Sequence, residues 1–263
     1  MAKLKRLFFA MEIVAPWPDQ YPSGRLVLAL HRHLTLVFIG DADLSLIQRY
    51  LSSMPKPSFS IGLAGVFDKS LFLPVREPHV VAWQIAWWEK ETAILHYRQE
   101  IVEWLRMIGF PVKDSFLPHV TIARKPEKPE EWERSFVPLP CFAKDILLCS
   151  SLGHSTYETC WKMPILAPFT PIEHMADIAF MVRGDCLETL YVHAWLALCF
   201  FEPQLTAYFV LARPESLLQL IASLNARIAL VDSERGCSIK AVSHHGTLRQ
   251  MDTHIEWEMI ADV

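Results

Sequence analysis

The chain has 263 residues, 52% hydrophobic and 21% charged, with a formal net charge of −4. That length favours two domains, and that composition supports sizeable cores. The acidic balance excludes a general basic nucleic-acid-binding surface and leaves room only for a small local anion site.

Arg6 to Ile13, rich in Leu, Phe and Ile, reads as a first strand. Residues 14–24 carry three prolines and Gly24, so they cannot form a helix interior and read as a loop. A strand follows and ends at Gly40. Asp41 or Asp43 then caps a helix with Leu44, Ile47 and Leu51 on one face, stopped by Pro55 and Pro57. Strands are expected near 58–66, 70–75 and 79–86. Glu89 to Ile108 is a helix with the stripe Ile94, Tyr97, Ile101, Leu105 and Ile108, ended by Gly109. After another strand, Lys125 to Glu133 reads as a charged, proline-punctuated loop, a solvated connection. Strands at 142–150 and 157–163 close the first part.

Pro164, Pro168 and Pro171 mark a linker, placed at 166–171. Beyond it Asp177 to Val182 is strand-like. Leu187, Leu190, Tyr191, Ala194, Trp195 and Leu198 form a helical stripe ended by Pro203. Phe209 to Ala212 is a candidate strand. Pro214 opens a helix with Leu217, Ile221, Leu224 and Ile228 on one side. Cys237 to Ser243 and Ile255 to Ile260 read as closing strands. The six cysteines include no Cys-x-x-Cys pair and read as buried apolar residues in a reducing compartment. No signal peptide is visible, and the apolar run Leu190 to Phe201 is too short to span a bilayer. The expectation is a soluble cytoplasmic protein that makes no membrane contact.

One pattern occurs twice. Arg32-His33-Leu34-Thr35-Leu36 and Pro118-His119-Val120-Thr121-Ile122 each read His, apolar, Thr, apolar. Two such tetrads arise by chance in on the order of one chain of this length in a few hundred. On a strand, residues i and i+2 share a face, so each His would sit beside its Thr, with Leu34, Leu36 and Phe38 behind the first copy and Val120 and Ile122 behind the second. Two such strands side by side line a cleft with two imidazoles and two hydroxyls. One imidazole can remove a proton while the other donates one. Hydroxyls and protonated imidazoles are donors for an oxyanion, phosphate being the obvious guest.

The first 165 residues resemble the 2H phosphoesterase superfamily, specifically the RNA 2′,3′-cyclic phosphodiesterases, also called 2′-5′ RNA ligases. The two tetrads carry the resemblance, supported by Phe38-Ile39-Gly40, Phe116-Leu117-Pro118 and Arg124. The resemblance implies an α+β bilobal fold with two antiparallel sheets around a central cleft. It implies His33 and His119 as catalytic base and acid in an order left open, and Thr35, Thr121 and Arg124 as binders of the substrate phosphate. The substrate would be RNA ending in a 2′,3′-cyclic phosphate, opened to a 2′-phosphate without a cofactor, and 2′-5′ ligation is the reverse of that chemistry. The loop at 14–24 departs from relatives that carry a helix there.

Residues 172–263 resemble archease, through Ile172-Glu173-His174-Met175-Ala176-Asp177-Ile178, Gly184-Asp185-Cys186-Leu187-Glu188, Ile239 to Gly246, and Trp257 to Val263. This implies a small α+β domain that serves an RtcB-type RNA ligase in RNA repair or tRNA splicing. It also implies an acidic tip holding Ca²⁺ or Mg²⁺ through Asp177, Asp262 and the carboxylate of Val263. His174, His244 and His245 read as structural, because no ligand spacing supports a closed zinc site. The copy is short, Met175 stands at the motif's Thr, and His244 replaces a Tyr. A different class of reading stays open: a non-catalytic protein that binds RNA ends or acts as a ligase adaptor.

Overall fold

A computed structural model describes residues 4–113, 115–173, 177–244 and 246–263. The first part contains β1 (Lys5–Val14), β2 (Arg25–Leu26), β3 (His33–Ala42), α1 (Leu44–Tyr50), β4 (Leu63–Leu73) and β5 (Val80–Trp87). It continues with α2 (Glu91–Met107), β6 (His119–Arg124), α3 (Pro129–Ser135), β7 (Leu139–Gly153) and β8 (Thr156–Met163). These strands form one antiparallel sheet in the order β1-β3-β6-β5-β4-β7-β8, with β2 on β6, and the path closes because β7 also pairs with β1. The two sheets expected from the resemblance are therefore continuous.

The cause is the length of β7. Its residues Leu139–Ala143 pair with β4, and its residues from Ile146 onward pair with β8, while β1 runs along both stretches. One strand thus threads both lobes. On the other side of the ring the lobes meet at β3 and β6, through the single register pair Leu34 and Val120. The cleft opens at that narrow junction.

Local chemistry explains most boundaries. The Asp43 carboxylate accepts from the Ser45 amide at 2.9 Å and caps α1. In α2, Ile94, Tyr97, Ile101 and Leu105 are fully buried, and Gly109 leaves the helix at φ +92°. Other boundaries differ from expectation. The strands at 58–66 and 70–75 are one strand, β4, which absorbs Asp68 as a bulge between Phe67 and Lys69. The loop at 125–133 contains the short helix α3, started by Pro129 and held down by Trp132, which is 1% exposed. Phe209 to Ala212 forms no strand. Pro214 precedes its helix, whose N-cap is Ser216, accepting from the Gln219 amide.

Residues 166–171 are held rather than loose. Leu166 exchanges backbone hydrogen bonds with Ser60 and Gly62, and Phe169 already belongs to β9 (Phe169–Ile172). The remaining elements are β10 (Ile178–Gly184), α4 (Leu187–Phe201), α5 (Leu217–Arg235), β11 (Ala241–Val242), β12 (Leu248–Gln250) and β13 (Ile255–Asp262). The second sheet runs β11-β13-β10-β9, with β12 on β13. Only Ala241–Val242 of the strand expected at 237–243 is formed. Helix α4 is buried from Thr189 to Cys199, on all sides, because it lies between the two parts of the molecule. Its core cluster includes Ala64 and Phe142 from the first part.

The connection is reinforced at residues 88–90. The Trp88 ring stacks on Phe209 at 4.3 Å. The Glu89 carboxylate meets Nε2 of the buried His193, whose Nδ1 donates to the Arg183 carbonyl. Lys90 pairs with Asp185. Three consecutive side chains of one part thus reach the other at three places: the segment after Tyr208, helix α4, and the turn between β10 and α4. Among the described residues, no helix is long and apolar enough to cross a membrane.

Candidate active site

The site is built by β3 and β6, and it begins with two backbone carbonyls. Nδ1 of His33 lies 2.8 Å from the carbonyl of His31, and Nδ1 of His119 lies 2.7 Å from the carbonyl of Leu117. A carbonyl only accepts, so each Nδ1 carries a proton and each Nε2 is left for chemistry. The two copies share this geometry because each His takes the carbonyl two residues upstream.

A second symmetry follows a few residues later. In the pairing of β1 with β3, Ala10 faces Thr35 and Phe9 faces Val37, so Leu36 is an inserted residue. In the pairing of β5 with β6, Ala82 faces Thr121 and Val81 faces Ala123, so Ile122 is inserted. A bulge reverses which side chains face which way. Leu36 and Val37 are therefore both buried, as are Ile122 and Ala123, and the next residues, Phe38 and Arg124, return to the cleft. Phe38, expected behind the strand with Leu34 and Leu36, is 59% exposed. The bulge is the physical reason for that correction.

A cavity of about 430 Å³ collects His33, Thr35, Phe38, His119, Thr121 and Arg124. Every residue assigned to the first site from the sequence lies in its wall. It also contains residues that sequence reasoning missed: Arg6, Phe8, Arg25, Ser151, His154, Ser155 and Tyr157. Arg25 arrives because β2 pairs with β6, opposite Arg124. Ser155 accepts a hydrogen bond from Nε of Arg124 at 2.8 Å, and His154 stands 3.4 Å from Arg25. Both belong to the β7–β8 turn, where Gly153, His154 and Ser155 all take positive φ. No local sequence signal links that turn to Arg124. Three arginines thus converge on one cavity in a chain of net charge −4, the local anion site that the overall charge allows.

The environments of the two imidazoles differ. The His33 ring stacks on Phe8 at 4.9 Å and meets the edge of Tyr157 at 4.8 Å. Burial pushes its pKa down to about 4; the nearby His119, His31 and Arg124 act in the same direction, against the carbonyl of His31. His33 is therefore neutral at pH 7 and offers a lone pair at Nε2. Among the described residues, His119 has no comparable aromatic box.

The residues assigned to a metal lie far along the fold. Register places Ile178 opposite Ala261, so Asp177 and Asp262 stand at one end of the second sheet, with the exposed Val263 next in the chain. Among the described residues, no group of three or more His, Cys, Asp or Glu gathers to hold a metal ion. His174 and His245 lie outside the described residues, and His244 is exposed.

No family model matches the chain. The RNA 2′,3′-cyclic phosphodiesterase of Thermotoga maritima is 28% identical over 109 residues, which cover 39% of this chain and 54% of that protein. The chain thus spans about half the length of the curated relative it matches. Among solved structures, E. coli LigT in its apo form aligns with a TM-score of 0.45 at 19% identity, covering 63% of this chain and 99% of LigT. The protein TT0787 of Thermus thermophilus aligns with a TM-score of 0.45 at 18% identity, covering 62% of this chain and 98% of that one.

Proposed function

We propose that the first 165 residues form a phosphodiesterase that opens 2′,3′-cyclic phosphate ends of RNA to 2′-phosphates. The observation that carries this reading is the pair of imidazoles, each fixed through Nδ1 to a carbonyl, in one cavity with two threonines and three arginines. The similarity to the Thermotoga maritima phosphodiesterase supports the same substrate class.

The roles follow from the neutral state of His33, which makes it the base and leaves the acid role to His119. Neutral His33 accepts a proton at Nε2 from a water whose oxygen attacks phosphorus. The bond from phosphorus to the 3′-oxygen breaks, and His119, as the general acid, gives an Nε2 proton to that oxygen. Thr35 and Thr121 donate to the phosphoryl oxygens, and Arg124, oriented by Ser155, adds charge where it develops. The same sequence with a 5′-hydroxyl in place of water forms a 2′-5′ bond while the same bond from phosphorus to the 3′-oxygen breaks, and His119 again protonates that oxygen. Protons move between the substrate and two imidazoles, so the step balances with protein groups alone.

For residues 172–263 the reading is an archease-like unit that serves an RNA ligase acting on the same kind of RNA end. Its support is the sequence resemblance and the α+β build. Asp177 and Asp262 remain the residues proposed for a divalent cation, with Val263 beside them.

Phosphorus NMR tests the first reading. A short RNA ending in a 2′,3′-cyclic phosphate, incubated with the protein in EDTA, is expected to give one new signal, that of the 2′-phosphate. A 3′-phosphate product, or no turnover, overturns the assignment. For the second unit, Asp177→Ala and Asp262→Ala are expected to abolish stimulation of an RtcB-type ligase by the full chain; no stimulation by the wild type removes the ligase partner.

A further inference from the structure

Among the described residues two arginines are buried, Arg32 at 5% exposed and Arg98 at 6%. Neither lines the 430 Å³ cavity. A guanidinium is always charged and enters a protein interior only where polar partners receive it. The partners of these two arginines fall on the backbone that orients the two histidines.

Arg32 directly precedes His33. Its Nε donates to the Val27 carbonyl at 3.0 Å, and its Nη1 donates to the Tyr21 hydroxyl at 2.8 Å. The guanidinium lies over the Trp17 and Tyr21 rings at 4.5 and 4.9 Å. The bond to Val27 closes the segment 27–32, whose 3₁₀ turn Ala29–His31 carries the carbonyl that accepts from His33. The Val27 amide in turn donates at 2.8 Å to the carbonyl of Ile122, the inserted residue of the other copy.

Arg98 stands on α2. Its Nε donates at 3.2 Å to the carbonyl of Leu36, the inserted residue of the first copy. Its guanidinium lies over the Phe116 ring at 5.1 Å, and Phe116 adjoins Leu117, whose carbonyl accepts from His119. The two arrangements mirror each other. Arg32 joins the segment that orients His33 to the bulge beyond His119, and Arg98 joins the segment that orients His119 to the bulge beyond His33. A bulge takes its extra residue out of the ladder, so the carbonyl there can accept a bond from elsewhere. Crossing ties matter at this seam because β3 and β6 share a single register pair, Leu34 with Val120.

We propose that Arg32 and Arg98 are positioning residues that cross-brace the two motif copies and hold the two Nε2 atoms in line across the cleft. The proposal rests on the phosphodiesterase reading and deepens it. One proton leaves the attacking water and another reaches the 3′-oxygen in the same displacement. Play between the imidazoles therefore costs rate rather than affinity.

The test is a pair of double-variant cycles on the full chain, read by steady-state cleavage of a 2′,3′-cyclic-phosphate oligonucleotide. Arg98→Met keeps an apolar stem and removes the brace. It is expected to lower kcat on the order of ten- to a hundredfold and to move KM by less than about threefold. In a His119→Ala background the same substitution is expected to change kcat by less than about twofold, because a brace has no effect once the group it aligns is gone. Arg32→Met against His33→Ala is expected to behave in the same way. Losses that multiply, or an unchanged kcat in the single arginine variants, overturn the proposal. Phe116→Leu and Tyr21→Phe each remove one contact of an arginine, and they replace either Met variant that fails to fold. If the wild type turns over no substrate, the phosphodiesterase reading fails by itself. The braces are then judged by long-range proton–nitrogen NMR of the two imidazoles at about pH 8, where both are neutral. The Nδ1–H tautomer alone in the wild type and a tautomer mixture at His119 in Arg98→Met support them; identical spectra overturn them.

Discussion

His33 and His119 make the same bond in two different surroundings. Each donates Nδ1–H to the carbonyl two residues before it, yet only His33 is boxed by Phe8 and Tyr157. Matched geometry makes both Nε2 atoms available, and unmatched burial separates their roles. A cleft assembled from two copies of one motif thereby acquires a direction.

The first prediction concerns pH. Burial holds the His33 pKa at about 4, so its acid limb in the profile of kcat/KM falls well below the ordinary imidazole range near 6.5. Activity is expected to persist at about pH 5.5 as far as His33 is concerned. A profile whose acid limb lies at about 6.5 and disappears in a His33 variant would contradict this assignment.

The same group gives a stability prediction. The folded imidazole takes up its proton only at about pH 4, while the unfolded one does so near 6.5. Between these values the unfolded state binds more protons, so stability rises with pH through this window and is lost as pH falls from 6.5 towards 4. His33→Gln removes that contribution. Thermal midpoints at about pH 7 and about pH 4.5 should differ less in the variant than in the wild type.

The threonines are assigned through their hydroxyls. Thr35→Val and Thr121→Val preserve shape and β-branching, so each is expected to keep the fold and lower kcat/KM by about ten- to a hundredfold, while Thr→Ser retains most activity. A wild-type rate in Thr121→Val would remove that side chain from the phosphate site.

Arg124 is held by Ser155 at 2.8 Å. Lysine cannot reproduce the planar fork, so Arg124→Lys is expected to lose most of what Arg124→Ala loses. Ser155→Ala leaves the charge but releases its orientation, and a smaller, roughly threefold loss in kcat/KM follows from the modest net strength of one hydrogen bond. Steady-state kinetics on the three variants ranks them.

The interface between the two parts has its own test. Glu89 and His193 form a buried pair beside the stacked Trp88 and Phe209. Glu89→Ala leaves the buried Nε2 of His193 without its partner and is expected to destabilise the whole chain by about 1–3 kcal/mol. Denaturant unfolding followed separately in each part should shift together; a shift confined to residues 172–263 would show that the clasp does not couple them.

The reach of the sequence is clearest at β3. His33 and Thr35 sharing a face follows from the two-residue period, and the structure places them in one cavity. The exposure of Phe38 does not follow, because a bulge adds one residue and reverses the parity of everything after it, and nothing in Leu36 or Val37 announces it. Arg124 is reached through the resemblance; strict alternation from His119 would place it on the wrong face. Arg6, Arg25 and Tyr157 come from strands distant in sequence, joined only by register. Helix α3 is legible after the fact: Pro129 at its first turn followed by Glu130 and Glu131 is a helix-start signal. The merging of two expected strands into β4 is not, since Asp68 and Lys69 look like a turn until a bulge accommodates them.

The central claim is that the two imidazoles act together on a phosphodiester. It is tested most directly by single-turnover cleavage of a 2′,3′-cyclic-phosphate oligonucleotide in EDTA by the wild type, His33→Ala, His119→Ala and the double variant. Losses of about 10²–10⁴ are expected in each single variant and little further loss in the double, because the two groups serve one step. Equal rates in all four proteins, or a double variant whose loss is the product of the two single losses, would contradict it.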